Sequence, residues 1–244
     1  MLAEQQAFYQ AVAPEYEKHA LYAPGGDEVI AALDRFAPVG DILELACGPG
    51  AWTTMLLRHA ATVTAVDGSS EMLACASARI EDPRVRFVQA DLFQWRPDRR
   101  YDVVFFGFWI SHVPLERFAA FWSMVRGCLK PGGRVFFADD AHRTAAEEEF
   151  GSASDLVRRR LNDGTAFTVV KVAHEPRDLQ RRISDLGWDV TVEPTSGPFY
   201  YGYGAPACAR QRAPRSAPSA AASCTDAPPA SPNVNPAANE SPQP

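Results

Sequence analysis

Asp41-Ile42-Leu43-Glu44-Leu45-Ala46-Cys47-Gly48-Pro49-Gly50 decides the fold of this chain. The run from Ile42 to Ala46 has the length and apolar content of a short buried strand. It leads into a turn that must reverse sharply before the helically spaced Ala51-Trp52-Thr53-Thr54-Met55-Leu56-Leu57-Arg58-His59. Glycine tolerates the backbone angles of such a reversal and lets a ligand come close to the main chain. The first turn of the following helix then points unpaired N–H groups at whatever occupies the cleft.

Working outward, the same grammar repeats. Thr62-Val63-Thr64-Ala65-Val66 reads as a second strand ending on Asp67. That is about twenty residues past the glycines, where a dinucleotide fold places the acid that accepts hydrogen bonds from ribose hydroxyls. Arg86-Phe87-Val88-Gln89-Ala90 ends in Asp91-Leu92, and Tyr101-Asp102-Val103-Val104-Phe105-Phe106 opens into Gly107-Phe108-Trp109-Ile110-Ser111-His112-Val113. A fifth strand, Arg134 to Ala138, follows Leu129-Lys130-Pro131-Gly132-Gly133. Strands alternating with helical stretches predict an α/β fold with a Rossmann-like, doubly wound sheet. The third glycine of the dinucleotide fingerprint is absent, since Thr53 stands there. A carboxylate at Glu44 would repel a pyrophosphate but suits a ligand bearing an ammonium and a sulfonium.

On these residues the chain resembles the class I S-adenosylmethionine-dependent methyltransferases, and the resemblance covers residues 8 to 204. It implies a seven-stranded, mostly parallel sheet with an antiparallel last strand, and S-adenosylmethionine as cofactor. It implies cofactor contacts at Glu44, Ala46, Gly48 and Gly50 around the first turn, at Asp67, Gly68 and Met72 after the second strand, at Asp91 and Leu92 after the third, and at Phe106 on the fourth. An N-terminal helical lid is implied as well, whose Tyr16 either reaches the methionine carboxylate or packs on the domain. His112 matches the second histidine of a leucine-histidine-histidine-valine run, here Ile110-Ser111-His112-Val113. It is the catalytic candidate, as a general base or as a structural residue.

Methyl transfer from a sulfonium is an in-line displacement, so the protein mainly aligns donor and nucleophile and excludes water. A base helps only an acceptor of high pKa. Asp139 and Asp140, with His142 close behind, invite a metal reading, but the fourth strand offers no carboxylate partner and no metal is expected. Hydrogen bonding to substrate, or plain solvation of Asp140, are the other readings. Phe105, Phe106, Phe108, Trp109, Tyr200, Tyr201 and Tyr203 are divided between core and an aromatic surround, which points to a planar or apolar small-molecule acceptor. No asparagine- or aspartate-proline-proline-aromatic run and no proline-cysteine nucleophile occur, so nucleic-acid bases are not the expected substrate. Two other readings remain at this point: an NAD(P)-linked oxidoreductase, disfavoured by Thr53 and Glu44, and a cofactor-binding partner protein without turnover.

The remaining sequence sets the limits. Its 244 residues carry a formal charge of −6, which disfavours polyanionic partners, and Arg158-Arg159-Arg160 reads as a solvated face. There is no secretory or membrane-length apolar run, and an N-terminus bearing Glu4, Glu15 and Glu17 predicts a cytoplasmic protein with no membrane contact. The five cysteines show no C-x-x-C pairing, so neither zinc nor disulfides are expected. Asn162-Asp163-Gly164 between two β-prone runs predicts an inserted hairpin walling the substrate pocket. A helix from Pro176 to Leu186 and strands at Trp188–Glu193 and Phe199–Tyr203 complete the domain, residues 1–204. From Ala205 onward alanine, proline, serine and asparagine dominate, which predicts a disordered tail over 205–244. Oligomeric state and acceptor identity are left open by the sequence.

Overall fold

The computed structural model describes residues 2–18, 24–141 and 154–208. In chain order these form α1 (Leu2–Val12), α2 (Gly26–Phe36), β1 (Gly40–Leu45), α3 (Ala51–Leu56), β2 (Ala60–Asp67), α4 (Ser70–Arg79), β3 (Val85–Gln89), β4 (Tyr101–Gly107), α5 (Phe118–Cys128), β5 (Leu129–Asp140), β6 (Leu156–Arg160), β7 (Ala166–Val170), α6 (Pro176–Asp185), β8 (Trp188–Pro194) and β9 (Phe199–Pro206). Seven strands make one sheet in the order β3-β2-β1-β4-β5-β9-β8, while β6 and β7 pair separately as the hairpin expected from Asp163-Gly164. Strand order reverses between β1 and β4, and an open α/β sheet binds its ligand at the carboxyl ends beside such a reversal.

Side-chain alternation divides the core into two layers. On one face Phe105 packs on Trp52 and stacks on Phe136; on the other Phe106 meets Phe121, Trp122 and Phe137. The antiparallel β9 fits beside β5 because Gly202 has no side chain: a Cβ there would come within 2.2 Å of the Phe137 ring. At the opposite end of the sheet, the Lys130 ammonium bridges Asp41 and Asp102 at 2.9 Å each and fixes β1 against β4.

β9 continues to Pro206, two positions past the expected domain boundary of 204, because Ala205 and Pro206 pair with Asp189 and Trp188 and the Ala207 N–H reaches the Gly187 carbonyl at 2.9 Å. Tail residues 209–244, with Arg210, Arg212 and Arg215, lie outside the described residues, as does His142. No helix among the described residues is long and apolar enough to cross a membrane.

The hairpin does not stand alone. Its outer edge is completed by α1, where the Glu4 and Gln5 side chains accept the Thr168 and Val170 N–H groups at 2.7 and 3.0 Å. Phe8 and Val12 of α1, with Ala13 just after it, share a small core with Val157 and Val169. The chain leaving the hairpin is anchored to the main sheet by Lys171, buried between Asp139, Asp140 and the Ser111 hydroxyl. Removing one partner of a buried pair leaves an uncompensated charge. Lys171→Met is therefore expected to lower stability by about 3–5 kcal/mol in denaturant unfolding; a parental midpoint would show that the pair does not hold the hairpin.

Candidate active site

A cavity of about 370 Å³ lies over the carboxyl ends of β1, β2, β3 and β4, with α1 across it. Its floor is the turn after β1. Ala46 and Gly48 both have left-handed φ, 54° and 53°, which turns the backbone at Gly48 up to the cavity. The Gly48 N–H donates to Asp67 Oδ2 and the Ser69 N–H to Oδ1, both at 2.8 Å, so one carboxylate joins the ends of β1 and β2. Ser69 caps α4 by accepting the Met72 N–H, and the Ala90 N–H reaches the Asp67 carbonyl at 2.9 Å, which brings the end of β3 alongside. Burial pushes the Asp67 carboxyl above its usual range, while the N–H groups of Ser69, Gly48 and Gly68 act in the opposite direction. Asp91 is exposed and shapes the next loop, accepting the Phe93 N–H and the Gln94 amide.

The other end of the cavity is built around His112, in a single 3₁₀ turn, Ile110–His112, after β4. Its Nδ1 lies 2.6 Å from the Val170 carbonyl, which can only accept, so Nδ1 carries the hydrogen and donates. Nε2 is then a bare lone pair and accepts the Tyr9 hydroxyl of α1 at 2.8 Å. Burial, reinforced by the positive charges of Lys171 and Arg159, lowers the imidazole pKa to about 3. The turn itself is held by Asp139, which accepts the Ser111 N–H and hydroxyl at 2.9 Å each. The aromatic rings of Tyr9 and His112 meet edge-on, 5.5 Å apart.

Of the residues expected to act here, Tyr16, Ala46, Gly48, Asp67, Gly68, Met72, Asp91, Leu92 and His112 all line this one cavity. Glu44, Gly50 and Phe106 do not. Gly50 is spent on the turn into α3, with φ 84° and Ile80 packed where a Cβ would stand. Phe106 has the strand parity that sends it beneath α5, and it is fully buried. Glu44 is 1% exposed under the turn rather than at its mouth; its Oε2 accepts the Thr53 hydroxyl at 2.6 Å and burial raises its pKa to about 8. The expected charge at the entrance is thus an interior carboxyl.

Asp139 and Asp140 are engaged with Ser111 and Lys171 rather than lining the cavity, and no group of metal-ligating side chains occurs among the described residues. Gln5 and Tyr9 were missed by sequence reasoning although both line the cavity, as does Trp109 of the expected aromatic surround. Gln5 and Tyr9 stand one helical turn apart on α1, and that spacing was a usable signal. Lys171 was missed too; a lone lysine between Val169-Val170 and Val172 marks a paired interior charge. Arg159, read as solvated, is half-buried and its charge acts on Tyr9, Tyr16 and His112.

A family model described as a methyltransferase domain matches residues 42–133. Trans-aconitate 2-methyltransferase of Enterobacter sp. (strain 638) is 38% identical over 78 residues, 31% of this chain and 30% of that protein. Malonyl-[acyl-carrier protein] O-methyltransferase of Priestia megaterium (strain DSM 319 / IMG 1521) is 30% identical over 111 residues, 43% of this chain and 39% of that protein. The chain spans well under half the length of these two curated relatives. Among solved structures, the DhpI–SAH complex is 40% identical with a TM-score of 0.73, covering 84% of this chain and 96% of that one. The same protein as a DhpI–SAM–HEP complex is 42% identical with a TM-score of 0.72, covering 83% and 96%.

Asp67 both shapes the cavity floor and presents a carboxylate to it. Asp67→Asn is expected to weaken SAH binding by roughly 1.5–3 kcal/mol, the scale of one charged hydrogen-bonding group, in a calorimetric titration. Parental affinity in a folded variant would detach Asp67 from the ligand.

Proposed function

The chain belongs to the class I S-adenosylmethionine-dependent methyltransferases, and from that premise we propose that it methylates an ionised oxygen of a small acid. When bound, S-adenosylmethionine supplies a methyl group on a cationic sulfur. The residues lining the cavity fit that molecule: Asp67 for the ribose hydroxyls, the Gly48 backbone beside it, Met72, Asp91 and Leu92 at the adenine, and Tyr16 at the methionine end.

The observation that carries the acceptor reading is the state of His112. Its only N–H is given to Val170, its lone pair receives Tyr9, and a pKa of about 3 leaves it too weak to hold a proton taken from an alcohol or amine. An acceptor that is already an anion needs no such group. The Arg159 charge reaches this end of the cavity, where Lys171 is offset by Asp139 and Asp140, and the Trp109 indole N–H is buried without a hydrogen-bond partner, a donor suited to an acid's oxygen. The names of two relatives, trans-aconitate and malonyl-[acyl-carrier protein] methyltransferases, are those of enzymes acting on acids, which supports the same class.

His112 then serves as a positioning residue, holding Tyr9 and hence α1 across the cavity. The aromatic wall of Tyr9, Tyr16, Phe93, Phe108 and Trp109 keeps water from the sulfonium, while Phe105, Phe106 and Tyr200 belong to the core. At about 370 Å³ the cavity is at the small end for ligand sites, and a nucleoside cofactor fills much of it, which favours a compact acceptor over a large planar one.

The test is a panel of trans-aconitate, malonate-type acids, HEP, phenols and amines with methyl-labelled S-adenosylmethionine. Label is expected in an acid, with kcat/KM for the acid, at saturating S-adenosylmethionine, level from about pH 5.5 to 8, because His112 stays neutral throughout that range. Label in an amine or phenol, with a rate climbing through neutral pH, would contradict the proposal. His112→Ala is expected to lower kcat by roughly tenfold through lost positioning; a loss beyond about a hundredfold, the scale of general-base catalysis, would restore the base role.

A further inference from the structure

We propose that Glu44 holds a proton in the cofactor-free protein and releases it to solvent when S-adenosylmethionine or its product SAH binds, so that cofactor binding is coupled to the loss of one proton. This rests on the cofactor reading above. Two carboxyls are buried under the glycine turn: Glu44 at the end of β1, 1% exposed, and Asp67 at the end of β2, 9% exposed. Their hydrogen bonding is unequal. Asp67 accepts two backbone N–H groups at 2.8 Å, the kind of bond that keeps a carboxylate ionised. Glu44 accepts a single hydroxyl, from Thr53, and its Oε1 has no partner.

Among the described residues no cation offsets them. The polar and titratable groups facing Glu44 are Thr53 on α3, Asp67 from β2 and the Cys47 thiol in the turn; its strand partners are Ala65 and Phe105. Two interior acids without a counter-ion retain one proton between them, and it resides on the acid with fewer hydrogen bonds. Burial is the main reason that Glu44 titrates near pH 8, and the Asp67 charge adds to it, so near pH 7 the carboxyl is neutral. The amino-acid end of the cofactor brings an ammonium into a cavity lined by Ala46, Gly48 and Asp67, the second acid of the pair, with Glu44 buried beneath the turn. A positive charge there favours the ionised form of Glu44, and the proton passes from the carboxyl to buffer with no other bond made or broken.

The sign follows. The proton must leave for binding, so SAH affinity rises with pH below the Glu44 pKa, by up to roughly tenfold per unit, and levels off above about 8. The experiment is calorimetry of SAH binding near pH 7 in buffers of different ionisation enthalpy, together with the dissociation constant from pH 5.5 to 7.5, where the ligand ammonium is intact. Wild type is expected to release close to one proton, and Glu44→Gln close to none, with pH-independent affinity. SAH binding without proton release by wild type, or release unchanged in Glu44→Gln, would overturn the inference while leaving the cofactor reading in place. The wild-type pH series decides the question even if the variant does not fold. Absence of any SAH binding would instead overturn the cofactor reading, and this inference with it.

Discussion

The bond on which the site depends is the one from the Gly48 N–H to Asp67, 2.8 Å long and partly buried. With the Cys47 N–H, which reaches the Val66 carbonyl at 3.1 Å, it joins two parallel strands past their last register pair, Leu45 and Val66, and it sets the glycine turn above the sheet. With Ser69 on its second oxygen the same carboxylate also fixes the start of α4, hence Met72, and its own main-chain carbonyl fixes Ala90 ahead of Asp91 and Leu92. One residue thereby places three of the loops that line the cavity. Its two oxygens retain lone pairs, so the group that organises the floor can still accept hydrogen bonds from a ligand.

The opposite wall is organised by a second chain of contacts that never touches the floor directly. Asp139 holds Ser111, Ser111 holds the 3₁₀ turn, His112 in that turn spans from the Val170 carbonyl to Tyr9, and Tyr9 belongs to the helix that closes the cavity. Glu4 and Gln5 bind that helix to the hairpin edge, and Lys171 binds the chain after the hairpin to the sheet. Hairpin and α1 are consequently one structure, attached at the His112 end of the cavity. Methyl transfer asks for alignment and a dry site more than for proton transfer, and this arrangement supplies the first two.

What the sequence made legible is what local chemistry determines. Strand–turn–helix order, Gly48, the strand-ending Asp67 and Asp91, and the Asp163-Gly164 hairpin follow from short-range patterns with narrow physical meaning. Phe106 and Glu44 were misplaced for a different reason: a run of apolar residues at a strand end does not disclose its parity, so which side chain faces ligand and which faces helix is fixed only when α3 and α5 dock. Tyr9 and Lys171 were overlooked because their partners, His112 and Asp139, lie 103 and 32 residues away in the chain. The departure at Thr53 was visible and correctly set against a dinucleotide, yet its use, a hydroxyl for the interior Glu44, emerges only from the fold.

The central claim is that one carboxylate at the end of β2 carries a nucleoside at this rim of the sheet. The most direct measurement is a crystal structure of the full chain grown with SAH. The account requires the ribose hydroxyls within hydrogen-bonding distance of Asp67, the adenine beside Met72, Asp91 and Leu92, and the sulfur facing the Tyr9–His112 end. A nucleoside seated away from Asp67, or reversed so that its base lies against His112, would contradict it.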